Sequence, residues 1–160
     1  MNDLDALLAA VVEQARSIGL PVSRRIEPRV AVNRRAVTRL GCCRRTAEGF
    51  RIEVAEGLLR APEAACLETL AHEVLHTCPG CSNHGALWRA YAGRLNEAWG
   101  YHIARTGSRA ELGVEPQGEA KYLLVCDRCG QRFERFRQSP LERHPERYRC
   151  RCGGGLRRER

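Results

Sequence analysis

His72 and His76 stand four residues apart, with Glu73 directly after the first, in the run His72-Glu73-Val74-Leu75-His76. On an α-helix, residues four apart lie one turn above each other on the same face. Two imidazoles so placed can converge on one Zn²⁺ at about 2.0–2.1 Å. Glu73, one position on, projects beside such an ion rather than at it, where a carboxylate can take a proton from water. The pattern is H-E-x-x-H, the spacing of zinc-dependent peptide hydrolases. The rival reading is a helix with two histidines and a surface carboxylate. It has to account for Leu70, Ala71, Val74 and Leu75, which make the same stretch apolar nearly all round. Burying imidazoles and a carboxylate without partners is costly, and metal ligation supplies a partner.

A catalytic zinc takes three protein ligands and keeps one position open. The remaining histidines are His84, His102 and His144. His84 follows a Pro79-Gly80 reversal, where the chain can turn back and present it to the helix. Its eight-residue distance from His76 differs from the six of H-E-x-x-H-x-x-G-x-x-H, and the chain has no internal methionine for a Met-turn. His102 reads as a surface or core-edge residue, and His144 lies in a different, C-terminal segment. Cys78 and Cys81 flank the reversal. Such a pair can bind metal, form a redox couple, or serve as two small residues in a tight loop. A sulfur from this pair in the fourth position would close the site and leave a structural zinc.

A second constellation lies further on. Cys126-Asp127-Arg128-Cys129-Gly130 is followed 20 residues later by Cys150-Arg151-Cys152-Gly153. Two cysteine turns a hairpin's length apart are the layout of a zinc ribbon, with four thiolates closing a tetrahedron around a structural zinc. A glycine after each pair lets the backbone turn tightly around the sulfurs. The second turn is C-x-C, which leaves His144 as an alternative donor. About 40 residues with few aliphatics cannot bury much core, so metal would hold this segment together. Nine cysteines, an odd number, with no basic leader at the N-terminus, fit a cytoplasmic metal-binding chain better than a disulfide framework.

These residues need elements to carry them. Asp3 to Ile18 has apolar residues at helical spacing, with Asn2 available as its cap. Arg29–Asn33 and the Phe50, Ile52, Val54 alternation read as strands, and residues 34–49 between them as a turn region. A second helix runs from Glu63 to Thr77 and carries the histidine pair. A third, capped by Ser82 or Asn83, carries Leu87, Trp88, Tyr91, Leu95 and Trp99 and ends near Gly100. Residues 106–118 lack a clear period and read as a linker. Cys42 and Cys43 fall in the turn region, and Cys66 on a helix face reads as core.

Charge is uneven. The net +8 is concentrated in residues 23–45 and 121–160, each +7, while the rest is acidic. Such blocks attract polyanions, of which nucleic acid is the commonest. Arg132, Arg135, Arg137, Arg149 and Arg151 are the candidate contacts, interleaved with Phe133, Phe136 and Tyr148. Arginine clamps phosphate and aromatic faces stack on unpaired bases. No apolar run approaches the 18 residues that would mark a membrane span.

The combination resembles the SprT-like metallopeptidases, which include bacterial SprT proteins and the protease domain of Spartan. The similar stretches are Asn33-Arg34 through Thr38-Arg39-Leu40-Gly41, the strand Phe50–Val54, the helix Glu68–His76, then His84-Gly85-Ala86-Leu87-Trp88, and the tail Tyr148–Leu156. The resemblance implies His72, His76 and His84 as ligands of a catalytic zinc, Glu73 as catalytic base, and a second, structural zinc on Cys126, Cys129, Cys150 and Cys152. It implies an α+β, zincin-like domain of about three helices and a small antiparallel sheet (residues 1–105), a linker (106–118) and a zinc ribbon (119–160). It implies hydrolysis of a protein substrate, with DNA-associated proteins as targets in the Spartan branch. The alternative is a non-catalytic nucleic-acid-binding protein with two structural zinc sites.

Overall fold

Leu4, Leu8, Val11 and Ala15 recur along one stripe of the first helix, α1 (Leu4–Ser17), and all four are buried. The computed structural model describes residues 1–115 and 118–160, and the chain divides into two compact units at Gln117/Gly118. In the first unit α1 packs on α2 (Glu63–Leu75), and α3 (Ala86–Trp99) packs against both. The other side of α2 covers a three-stranded sheet of β1 (Ala31–Asn33), β2 (Gly41–Thr46) and β3 (Gly49–Ala55) in the order β1-β3-β2. Helix α2 is thus central, which is why it is apolar nearly all round. Leu70, Ala71, Val74 and Leu75 are wholly buried, each large one contributing about 1.5–3 kcal/mol by leaving water.

The sheet differs from the expected antiparallel one. β2 and β3 form an antiparallel hairpin, but β1 runs parallel to β3, with Val32 opposite Val54. β2 itself lies inside the stretch read as a turn region. At the N-terminus Asp3, not Asn2, caps α1, accepting from the Ala6 N–H at 3.1 Å. The Asn2 amide instead donates to the carbonyls of Leu58 and Ala61 and to the Cys66 sulfur. Gly85, not Ser82 or Asn83, is the N-cap of α3, and Gly100 at φ 70° ends it. The stretch 106–118 reads as a linker from composition, yet residues 106–115 pack in the first unit; residues 116–117 lie outside the described residues. Val114 is buried and Arg109 donates to the Ala36 carbonyl at 2.8 Å.

The second unit, residues 118–160, is an antiparallel sheet of β4 (Tyr122–Cys126), β5 (Arg132–Arg135) and β6 (Leu156–Arg158) in the order β5-β4-β6. One short helix, α4 (Pro140–Arg143), begins in a capping box between Ser139 and Glu142. Leu123, Leu124 and Val125 supply its small core. Among the described residues no helix is long and apolar enough to cross a membrane.

Candidate metal centre

The last turn of α2 presents His72 and the C-cap His76, while a tight turn after the helix returns the chain so that His84 faces them. Thr77 anchors that exit, donating its hydroxyl to the Val74 carbonyl at 2.7 Å and accepting from the Ser23 N–H at 3.2 Å. The His84 Nε2 lies 2.9 Å from His72 Nε2 and 3.2 Å from His76 Nε2. Tetrahedral ligation at about 2.0–2.1 Å sets nitrogens roughly 3.3 Å apart. The half-buried rings pack on one wall, Trp88, whose ring centroid is 4.7, 5.7 and 4.7 Å from those of His72, His76 and His84.

Backbone carbonyls fix the tautomers. The His72 Nδ1 is 3.0 Å from the Ala104 oxygen and the His76 Nδ1 is 2.8 Å from the Cys81 oxygen. A carbonyl only accepts, so both Nδ1 atoms carry the proton and both Nε2 atoms turn lone pairs inward. Burial and the neighbouring His76 push the His72 imidazole down to about 4, and burial, His76 and Arg105 lower His84. Both are thus neutral near pH 7, the form that ligates metal. One proton on His84 Nε2 could satisfy only one neighbour, whereas a cation satisfies all three lone pairs. The donor set therefore fits zinc.

Glu73 is buried on the sheet side of α2. Its carboxyl meets Gly41 of β2 so closely that a β-carbon there would lie 2.8 Å from Oε1. Burial pushes this carboxyl up to about 7, against the pull of the Arg39 guanidinium and the Cys43 N–H. The histidines, Glu73, Gly41, Cys42 and Cys43 line one cleft of 810 Å³. Gly41, Arg39, Trp88 and the two carbonyls were not singled out by chemical reasoning on the sequence. Only the H-G-x-x-W and Thr38–Gly41 resemblances pointed near them.

The other candidate donors lie elsewhere. His102 is exposed, its Nδ1 3.4 Å from Glu68. His144 is exposed, 3.4 Å from Glu146 and outside the cysteine group. Among the described residues only His72, His76 and His84 gather at the first site; Cys78 and Cys81 are not in that group. Both are buried, and burial, then Cys81, pushes the Cys78 thiol up to about 12. Burial, then Glu73, does the same for Cys43. Cys66 is core, donating to the Leu58 carbonyl at 3.0 Å.

In the second unit Cys126, Cys129, Cys150 and Cys152 bring their sulfurs within 4.8 Å of one another. Cys126 and Cys152 are 3.5 Å apart and Cys129 and Cys150 3.6 Å, close to the roughly 3.8 Å that tetrahedral zinc at about 2.3 Å sets. The one-residue-short second turn thus contributes both sulfurs. The Cys129 and Arg128 N–H groups point at the Cys126 sulfur and pull its thiol down to about 6. The cluster is compatible with a zinc-ribbon module.

The five candidate arginines differ. Arg132 faces Glu159 at 3.7 Å and Arg135 the buried Glu142 at 3.6 Å. Arg149 donates to the Glu146 and Tyr148 carbonyls. Arg137 and Arg151 are exposed and form no ion pair among the described residues.

Compared with known proteins, residues 12–107 match the model of the SprT-like family. No curated protein matches the chain.

Proposed function

The chain belongs to the SprT-like family, and from that membership and the histidine geometry we propose that it is a zinc-dependent metalloendopeptidase. The observation that carries the reading is the convergence of three inward-turned imidazole nitrogens, 2.9 and 3.2 Å apart, beside the Glu73 carboxyl in one cleft. His72, His76 and His84 would hold the zinc, which when bound supplies a Lewis acid for a carbonyl oxygen and lowers the pKa of water. Glu73 accepts a proton from the attacking water and delivers it to the departing amine. The Arg39 guanidinium and the Cys43 N–H favour its ionised form, the one that accepts. β2 pairs only with β3 among the described strands, so a peptide lying along its outer edge would pass across Glu73.

Glu73→Gln keeps the shape of the site and removes the base. It is expected to retain the parent's metal content and lose roughly 10²–10⁴-fold in cleavage of unfolded casein. Cleavage at the parental rate, with metal bound, would sink the proposal. The proposed targets are proteins held on DNA, supported by the two basic blocks of the chain.

A further inference from the structure

Cys78 and Cys81 belong to neither ligand group, yet they sit in the segment joining His76 to His84. Cys78-Pro79-Gly80-Cys81 is a hydrogen-bonded turn, with the Cys81 N–H donating to the Cys78 carbonyl at 3.1 Å. Proline is second and glycine third, with Gly80 at φ 76°, the type II arrangement. Such a turn holds its end Cα atoms within about 7 Å, and disulfides join Cα atoms about 4.4–6.8 Å apart. The turn therefore brings the two Cα atoms to about the separation a bridge requires. Cys78 borders the cleft and Cys81 is wholly buried behind it.

We propose that Cys78 and Cys81 form a reversible disulfide that staples this turn and tightens the hold of the histidine site on its metal. The proposal rests on the reading of His72, His76 and His84 as metal ligands. The path between bridge and site is short. The Cys78 N–H donates to the Leu75 carbonyl at the end of α2, and the Cys81 carbonyl accepts the His76 Nδ1–H at 2.8 Å. A bridge ties the residue that extends the helix to the residue that orients His76, with His84 three positions on. A bridge adds a covalent tie to a turn now held by the single Cys81 N–H to Cys78 carbonyl hydrogen bond, so less conformational freedom is left to lose when metal binds.

The oxidant is a peroxide. Cys78 is buried to 3% exposure and held as the thiol, so the step is slow: its sulfur attacks one peroxide oxygen, the O–O bond breaks, and the thiol proton leaves with the other oxygen as water, giving a sulfenic acid. The Cys81 sulfur attacks that sulfur, the S–S bond forms, the S–O bond breaks, and the departing hydroxide takes the Cys81 proton as a second water. Two thiols and one peroxide become one disulfide and two waters.

Peptide mapping tests the bridge directly. Tryptic peptide 61–89 holds Cys66, Cys78 and Cys81 and no other cysteine. After hydrogen peroxide treatment of the zinc-loaded chain, denaturation and alkylation, this peptide is expected to carry one alkyl group, on Cys66, and to regain the other two after reduction. Three alkylated thiols in the treated sample would overturn the bridge. The coupling is read with Co²⁺ at the histidine site and zinc on the four cysteines, by competition against a chelator. The oxidised chain is expected to hold Co²⁺ roughly tenfold more tightly than the reduced one, as for other partners that orient a ligating histidine. The double variant Cys78→Ser/Cys81→Ser should show no response to peroxide. Equal or weaker retention after oxidation refutes the coupling while leaving the protease reading intact; failure of the three histidines to bind Co²⁺ at all removes both.

Discussion

At position 41 a methyl group would lie 2.8 Å from Glu73 Oε1 and 3.0 Å from Thr69 Cγ2. Thr69 is on the same rigid helix, so Gly41→Ala has to displace either the strand or the carboxylate. A misplacement near 1 Å at a reacting group costs about 10²-fold in rate. Gly41→Ala is therefore expected to lose about 10²-fold in casein cleavage with an unchanged metal content, measured on the same preparation. The sequence makes the ligands readable because His72, Glu73 and His76 carry their chemistry in side chains at helical spacing. It does not make Gly41 readable by chemistry, since its contribution is the absence of a side chain. The Ala104 carbonyl that orients His72 lies 32 residues away and is a backbone group, so residue type carries no signal for it.

Helix α2 holds the site only because its neighbours hold α2. Trp88 is buried to 1% exposure and forms the wall behind all three imidazoles. Trp88→Ala is expected to lose about 3–5 kcal/mol in urea unfolding and to weaken metal binding, with Trp88→Phe recovering part of both. On the far side of the sheet Glu53 ties β3 to its neighbours. Asn33 of β1 donates to Oε1 at 2.7 Å, Arg39 lies at 3.1 Å, and Arg44 of β2 lies 3.6 Å from Oε2. The Asn33 amide, with Arg44 and Arg39 and against some burial, holds the carboxyl below its ordinary range. The folded chain thus binds fewer protons there than the unfolded chain. The stability this supplies is present above the unfolded value of about 4.3 and is lost as pH falls through the folded one. Glu53→Gln should cost about 0.5–1 kcal/mol at pH 7, and the gap from the parent should close on acidification, measured by urea unfolding of metal-free protein at each pH. Helices α1 to α3 and strand β3 were legible because each has a clean period, whereas the four-residue α4 is too short to show one. β2 was not, because Gly41-Cys42-Cys43-Arg44-Arg45-Thr46 has no apolar alternation: its inner face meets α2 through a glycine and a cysteine. The parallel pairing of β1 follows from tertiary packing and leaves no mark in three residues.

At the scale of the chain, the two units differ in what holds them. The first has a continuous core from α1 to Val114, so the composition of residues 106–115, polar and aperiodic, misleads: the buried Val114, Leu112 packed against the core and Arg109 bonded to Ala36 seat them. The second buries little beyond Ala120, Leu123, Leu124, Val125, Cys126, Cys150 and the Glu142 side chain, which is too small a core to fold alone. Chelation should therefore collapse hydrogen-exchange protection in residues 118–160 while α1 and α2 keep theirs. The same unit carries the charge for the proposed contact with DNA. Arg132, Arg135 and Arg157 face carboxylates, which reduces the number of counterions their binding to phosphate could release. Arg137 and Arg151 have no such partner among the described residues. If the unit binds duplex DNA through its phosphates, affinity should fall linearly in log–log with salt, and Arg137→Ala/Arg151→Ala should reduce the slope by roughly two. The measurement is fluorescence anisotropy at several salt concentrations, with zinc content checked to show the cysteine site intact. A parent protein whose binding is weak and flat in salt would remove DNA from the account and leave the peptidase reading to stand on the histidine site alone.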